Sequence, residues 1–237
     1  MKLSIIIPVY NEINSLDILI EKILTVTLPN GIHREIIVVD DGSTDGAVLL
    51  LQEKHKAANV IEIIVHKNNL GKGEAVKSGI RRATGDYILI QDADLELDPA
   101  EYSDLLSPVL TANAEVVYGS RFLKRENYIP RTKRVVNRLL TGFANLLFGT
   151  SLTDEATAYK LFKKSLVENI AIESTGFEIC AELTARFLRN GKKIYEVPIT
   201  YHPRTKQDGK KLNLFSDGFK AVFTLVRYRI RRRVERM

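Results

Sequence analysis

The stretch Gly85-Asp86-Tyr87-Ile88-Leu89-Ile90-Gln91-Asp92-Ala93-Asp94-Leu95-Glu96 decides how the chain reads, because a short apolar run in it meets three acids at once. The run predicts a buried strand, and an extended backbone leaving it would send the Asp92 and Asp94 carboxylates to one side. Such a pair suits a hard divalent cation. Mg2+ or Mn2+ takes oxygen ligands from one or two acids and completes its shell with substrate phosphates and water. The same spacing also fits acids that only shape a turn or cap a helix beginning at Pro99. From this stretch alone both readings stand.

Working outward, Lys2–Val9, Arg34–Val39 and Asn59–Val65 are further apolar strands. Helical periodicity follows each of them: from Asn14-Ser15 to Leu24, over Val48–Leu51, and from Gly71-Lys72-Gly73 to Ala83. Downstream come a helix over Ala100–Leu110, a strand over Glu115–Gly119, a helix over Gly176–Leu188 and a strand over Lys193–Tyr201. This alternation predicts an α/β fold, a mostly parallel central sheet with helices on both faces. Ligands of such sheets bind at the carboxyl ends of the strands. Pro8-Val9-Tyr10-Asn11-Glu12, Asp40-Asp41 and Asp92-Asp94 all fall there, so one crevice should gather them. Singly, each also reads as a helix start or a turn. Gly71-Lys72-Gly73 reads either as a plain loop or as a helix start whose N–H groups receive a phosphate.

The 237 residues are 45% hydrophobic and 27% charged, enough for one large core. Met1–Val9 is too short an apolar run for a signal peptide, and no run of about 18 apolar residues predicts a spanning helix. A cytoplasmic protein is the expectation. Of the net charge of +6, nearly all sits in Arg227–Met237, which holds six arginines and one glutamate. The near-neutral remainder argues against a nucleic-acid-binding surface and for a basic tail with its own task. Cys180, the only cysteine, falls in a helical apolar pattern and reads as core filler.

Five ordered motifs then carry a resemblance that covers about the whole chain: Pro8-Val9-Tyr10-Asn11-Glu12, Val39-Asp40-Asp41-Gly42-Ser43-Thr44-Asp45-Gly46, Asn69-Leu70-Gly71-Lys72-Gly73, Asp92-Ala93-Asp94-Leu95-Glu96 and Gly119-Ser120-Arg121-Phe122. Together they resemble the family 2 glycosyltransferases with a GT-A, Rossmann-like fold, and within them the dolichyl- and polyprenyl-phosphate hexosyltransferases. The resemblance implies that Pro8, Tyr10, Glu12 and Asp40, with neighbouring Asp41, hold a nucleotide. It implies that Asp92 and Asp94 bind Mg2+ or Mn2+ bridging the sugar diphosphate. Glu96, where relatives often carry Gln, would add a further metal ligand. The expected reaction moves a hexose from a GDP-mannose- or UDP-glucose-type donor onto a polyprenyl phosphate, with inversion. Transfer to a sugar or protein hydroxyl, and a non-catalytic nucleotide-sugar-binding subunit, are the alternatives.

On the acceptor side, Lys124–Arg134 reads as a basic loop broken by Pro130, and Arg121, Arg131 and Arg134 are candidates for gripping a phosphate. Asp154 stands where related inverting enzymes place an acid near the acceptor, as a base or an orienting group. Arg204, Lys210 and Lys211 lie in a basic loop that resembles a clamp on the donor diphosphate, and Lys72, in the Gly71-Lys72-Gly73 helix start, is a separate binding candidate. Residues 1–212 are expected to form the catalytic domain and 213–237 a basic amphipathic segment. Its Phe215, Phe219, Val222, Phe223 and Val226, ahead of the arginines, fit a helix lying at the inner membrane face. The same spacing fits a packed core helix. Oligomeric state is not legible.

Overall fold

The computed structural model describes residues 1–55, 58–204 and 214–231. Its centre is a seven-stranded sheet made of β1 (Lys2–Val9), β2 (His33–Asp40), β3 (Ile61–Val65), β4 (Tyr87–Ile90), β5 (Val116–Ser120), β6 (Lys160–Lys163) and β7 (Ile194–Pro198). The spatial order is β3-β2-β1-β4-β6-β5-β7. Every pairing is parallel except those of β6, which runs antiparallel to β4 and β5. Lys160-Leu161-Phe162-Lys163 was not legible as a strand. Four residues with charged ends give no run and no alternation long enough to register, and the neighbours on both sides impose the extended form.

Among the described residues there are seven α-helices: α1 (Leu16–Thr25), α2 (Ala47–Lys54), α3 (Lys72–Arg82), α4 (Tyr102–Ala112), α5 (Arg131–Phe148), α6 (Ile179–Arg189) and α7 (Leu214–Ile230), of which α5 and α7 pack mainly on each other and on α6. Because strand side chains alternate, the sheet carries a core on each face. Ile5, Ile7, Ile36 and Val38 pack with Leu16, Leu19, Leu51 and Leu105 on one side. Ile6, Ile37, Val39, Ile88 and Ile90 pack with Val76, Ile80, Leu183 and Phe187 on the other. Each of these central-strand side chains is essentially unexposed, which stabilises the fold by roughly 2–3 kcal/mol apiece relative to exposure. A third cluster joins α5, α6 and α7 through Leu140, Ala144, Ala181, Ala185, Ala221 and Leu225, and its four alanines let the helices approach closely.

One topological fact positions the site. β1 lies between β2 on one side and β4 on the other, so the chain reverses its winding direction there and the carboxyl ends of the three strands stand side by side.

Candidate active site

A cleft of about 450 Å³ opens over those strand ends, lined among others by Pro8, Tyr10, Glu12, Asp92, Asp94 and Arg121. The volume lies within the range of small-ligand sites. Asp92 and Asp94 reach it from a turn rather than from extended strand. β4 stops at Ile90, Leu95 takes a left-handed φ of 58°, and Asp94 Oδ1 accepts the Glu96 N–H at 3.1 Å. A non-glycine residue held at positive φ stores backbone strain, a feature that collects at functional turns. The capping alternative falls to a different acid, since Asp98 Oδ1 accepts the Ala100 N–H at 3.2 Å.

The electrostatics of this turn suit a cation. Burial, reinforced by the negative charges of Asp92 and Glu96, pushes the Asp94 carboxyl up to about 7. Lys72 Nζ pairs with Asp92 Oδ1 from the opposite wall. Burial works against the Lys72 charge, but Asp92, with Cys180 and Asp94 adding to it, more than offsets this and holds the ammonium above its ordinary value. The Glu96 N–H and the Lys72 charge relieve Asp94 only in part, and two such acids would leave the rest of a Mg2+ or Mn2+ shell to phosphate oxygens and water, as those ions prefer. Glu96 does not make the pair a trio: its Oε1 accepts the Arg204 N–H at 2.9 Å and its Oε2 the Tyr201 hydroxyl at 3.2 Å, with Lys133 Nζ 3.6 Å away. Among the described residues no three His, Cys, Asp or Glu groups gather closely enough to hold a metal by themselves.

The Gly71-Lys72-Gly73 helix start is not an open phosphate cradle. Thr175 C=O accepts the Gly73 N–H at 2.7 Å and the Glu74 N–H at 3.3 Å. The Asp41 carboxylate accepts the N–H groups of Leu70 and Gly71, at 2.9 and 2.7 Å. The glycines are required for closeness, because a Cβ at either position would collide with the carbonyl oxygen of Thr175 or Ser174. Asp41 also bonds His66 Nδ1 at 2.8 Å, so it borders the cleft as the organiser of this loop. Asp40 is buried, takes the Ser43 N–H at 3.1 Å, and does not border the cavity. Glu12 and Arg204, expected on different parts of a donor, face each other in a two-pronged pair at 3.0 and 2.8 Å.

Arg121 and Asp154 likewise meet. Arg121 Nε donates to Oδ2 at 2.7 Å, Nη2 to Oδ1 at 2.7 Å, and the Arg121 N–H to Oδ2 at 3.0 Å, with Asp154 wholly buried. Burial opposes the guanidinium charge, and Asp154 restores it with more to spare, keeping Arg121 above its usual value. Arg131 and Arg134 correct the loop reading. Pro130 ends the loop and α5 begins at Arg131, so both arginines sit on exposed positions of a helix and do not border the cleft. Lys133 does, donating to the Tyr201 hydroxyl at 3.0 Å, and Arg121 and Lys133 both lie over the Tyr201 ring, 5.3 and 5.6 Å from its centre. Sequence reasoning missed Lys133 and Tyr201. Starting the helix at Pro130 would have put Lys133, Val136, Asn137 and Leu140 on one face. Cys180 packs against the second core, as expected, and from there also forms a partly exposed piece of the cleft wall. Lys210 and Lys211 lie outside the described residues.

The family model described as "Glycosyl transferase family 2" matches residues 4–171, well over half of the chain. The chain belongs to glycosyltransferase family 2. Curated relatives of this family 2 chain include a low-salt glycan biosynthesis hexosyltransferase of Haloferax volcanii, 31% identical over 228 residues that make up 94% of this chain and 53% of that protein. A dolichol-phosphate mannosyltransferase of Pyrococcus furiosus is 30% identical over 217 residues, 89% of this chain and 59% of its own. The chain thus spans a little over half the length of these relatives. Among solved structures, a glucosyl-3-phosphoglycerate synthase from Mycobacterium tuberculosis, in complex with Mn2+, UDP-glucose and phosphoglyceric acid, superposes with a TM-score of 0.72 at 18% identity, covering 96% of this chain and 79% of that one. That likeness establishes the GT-A fold.

Proposed function

We propose that this family 2 chain transfers a hexose from a nucleotide-sugar of the GDP-mannose or UDP-glucose type to a polyprenyl or dolichyl phosphate, inverting the anomeric carbon, with Mg2+ or Mn2+ as cofactor. The observation that carries the reading is the cleft itself. At one end stand Asp92, Asp94 and Lys72, then Arg121 and Lys133, and its wall continues into Val136, Leu140, Ala181 and Ala221 of α5, α6 and α7. Acids for a cation, bases for a second phosphate and an apolar exit are what a lipid-phosphate acceptor would need. Curated relatives named for dolichol-phosphate mannose transfer and for undecaprenyl-phosphate 4-deoxy-4-formamido-L-arabinose transfer support the acceptor class.

In this reading Asp92 and Asp94 hold the cation, which would neutralise the leaving diphosphate. Lys72 adds a point charge beside it. Pro8, Tyr10 and Glu12 wall the nucleoside. Arg121 and Lys133 receive the acceptor phosphate, and Asp154 fixes the Arg121 fork. A phosphate monoester is already ionised near neutral pH, so its oxygen attacks without a general base. Asp154, both of whose oxygens are committed to Arg121, fits a reaction that asks for none.

The membrane reading rests on α5 and α7. Leu139 and Leu146 on α5, and Phe219, Phe223 and Ile230 on α7, are 61–81% exposed, with Arg227 and Arg229 at the end of the same helix. Among the described residues no helix is long and apolar enough to cross a membrane. An apolar row flanked by arginine fits a surface lying on anionic lipid. Residues 1–212 would then be the catalytic body and 213–237 its lipid-facing element.

The purified chain, supplied with Mn2+ and either UDP-glucose or GDP-mannose, should release nucleoside diphosphate with a short-chain polyprenyl phosphate and not with the matching polyprenol. Release with hydroxyl acceptors alone, or with neither, would contradict the proposal. Replacing Leu139 and Phe223 by Glu should lower sedimentation with anionic vesicles by about tenfold. Equal sedimentation of both proteins, with anionic and neutral vesicles alike, would sink the membrane part.

A further inference from the structure

One buried group on the cleft has no use in the account so far. Glu155 is 1% exposed, borders the cavity, and has both carboxylate oxygens without a hydrogen-bond partner among the described residues. An unpartnered buried carboxyl is costly, and native structures retain one chiefly where a ligand completes it. Its backbone is well fixed: the Glu155 N–H donates to Thr141 Oγ1 at 3.0 Å, and the Glu155 C=O accepts from Lys160 Nζ at 2.7 Å. Lys160, also fully buried, donates to Thr184 Oγ1 at 3.2 Å and lies 3.6 Å from the centre of the Tyr118 ring. Burial pushes the Glu155 carboxyl up, and the Lys160 charge and the nearby Thr184 hydroxyl, whose own hydrogen goes to the Cys180 C=O at 2.9 Å, pull it back only in part.

Placement says what the group would meet. Glu155 follows Asp154, the partner of Arg121, along the chain. On its other side, the Cys180 thiol is within electrostatic reach of Lys72, Lys160 and Glu155. Within electrostatic reach of Arg121 on one side and of Cys180, itself in reach of Lys72, on the other, Glu155 falls between the proposed acceptor and diphosphate ends of the cleft. In a displacement, the transferred sugar must occupy that interval, between leaving and attacking oxygens. A hexose offers several hydroxyl donors there and no charge, and a carboxyl, ionised or neutral, pairs with a hydroxyl in either state. We infer that Glu155 is a specificity-determining residue that receives hydroxyl hydrogens of the transferred hexose. This inference rests on the proposed donor class and deepens it. A site built to bond a hydroxyl discriminates far more strongly than an apolar pocket of the same shape, because its polar atoms are stranded when the hydroxyl is missing.

The test is calorimetric titration, with Mn2+ and no acceptor, of UDP, GDP, UDP-glucose, UDP-galactose and GDP-mannose into the wild-type chain, E155Q and E155M. The readout is the affinity ratio of each sugar nucleotide to the bare nucleotide of the same base. E155M, which keeps volume and removes hydrogen bonding, should shift that ratio at least about tenfold against the preferred sugar nucleotide, E155Q less, and neither should weaken UDP or GDP more than twofold. E155Q, isosteric and uncharged, serves if E155M folds poorly. Loss of bare and sugar nucleotide in parallel would assign Glu155 a structural role and overturn the inference, as would an unshifted ratio. Failure of the wild-type chain to bind any of the five would instead remove the donor assignment on which the inference stands.

Discussion

Two acidic sites serve the cleft and are built in opposite ways: Asp92 and Asp94 line it, while Asp154 lies buried behind Arg121. Asp92 and Asp94 sit in a strained turn where they repel one another, and Asp94 is pushed up to about 7 by burial and by its neighbours. Asp154, deeper still, is matched oxygen by oxygen to the Arg121 fork. In the proposed reading a cation finishes the first site; the second is complete within the protein. An acid near a reaction centre is thus no guide to chemistry until its partners are counted. By that count the proposal gives the acids at the end of β4 a binding role and Asp154 a positioning one.

The widest separation should come from turnover. Asp92→Asn combined with Asp94→Asn should cut nucleoside diphosphate release by about a thousandfold or more, since charge on the leaving group goes uncompensated. A loss under tenfold would erase the distinction. Asp154→Asn should act mainly on stability, costing about 3–5 kcal/mol in chemical denaturation because it strands the buried Arg121 charge. Turnover at saturating acceptor, per folded molecule, should fall less than about tenfold. A fall of a hundredfold or more would mark Asp154 as a base and favour a hydroxyl acceptor.

The two sites should also differ in sign. Asp94 holds its proton more tightly folded than unfolded, so with chelator present the native state loses stability as pH rises from about 4 to about 7. Asp94→Asn should therefore stabilise the metal-free chain at pH 8, by roughly 2–4 kcal/mol, and leave it unchanged near pH 3.5. Destabilisation at pH 8 would show Asp94 to be satisfied like Asp154. Glu35 sharpens the contrast from the other end of β2. Burial would raise its carboxyl, but donors from Lys2, Ser4 and Thr84 hold it down at about 2. Its contribution is present above about 4.5 and lost as pH falls toward 2. Glu35→Gln should cost about 1–2 kcal/mol at pH 7, allowing for solvent screening, and almost nothing at pH 2.

Much of this arrangement is legible in the sequence, and what is not has a common cause. Apolar runs and helical periods place β1 to β5 and β7: β1, β2, β4 and β5 because strands buried on both faces are mostly apolar, and the half-buried edge strands β3 and β7 because apolar residues still outnumber the single Glu in each. The strand-end rule then gathers Tyr10, Glu12, Asp92 and Asp94 without any knowledge of contacts. Pairings between distant segments leave no local trace. Arg121 with Asp154, Glu12 with Arg204 and Glu96 with Tyr201 join residues 33, 192 and 105 positions apart. Gly71 and Gly73 misled for the same reason: glycine reports that something comes close, and here it is Thr175 and Ser174 rather than a phosphate.

The claim that a cation joins the β4 acids to a nucleotide diphosphate is tested most directly by titrating UDP and GDP into the wild-type chain and Asp94→Asn, with Mn2+ and again with EDTA. One of the two nucleotides should bind the wild-type chain at least about a hundredfold more tightly with Mn2+ than with EDTA, and Asp94→Asn should abolish the difference. Equal binding with and without the metal, or a metal effect that survives in Asp94→Asn, would contradict the account.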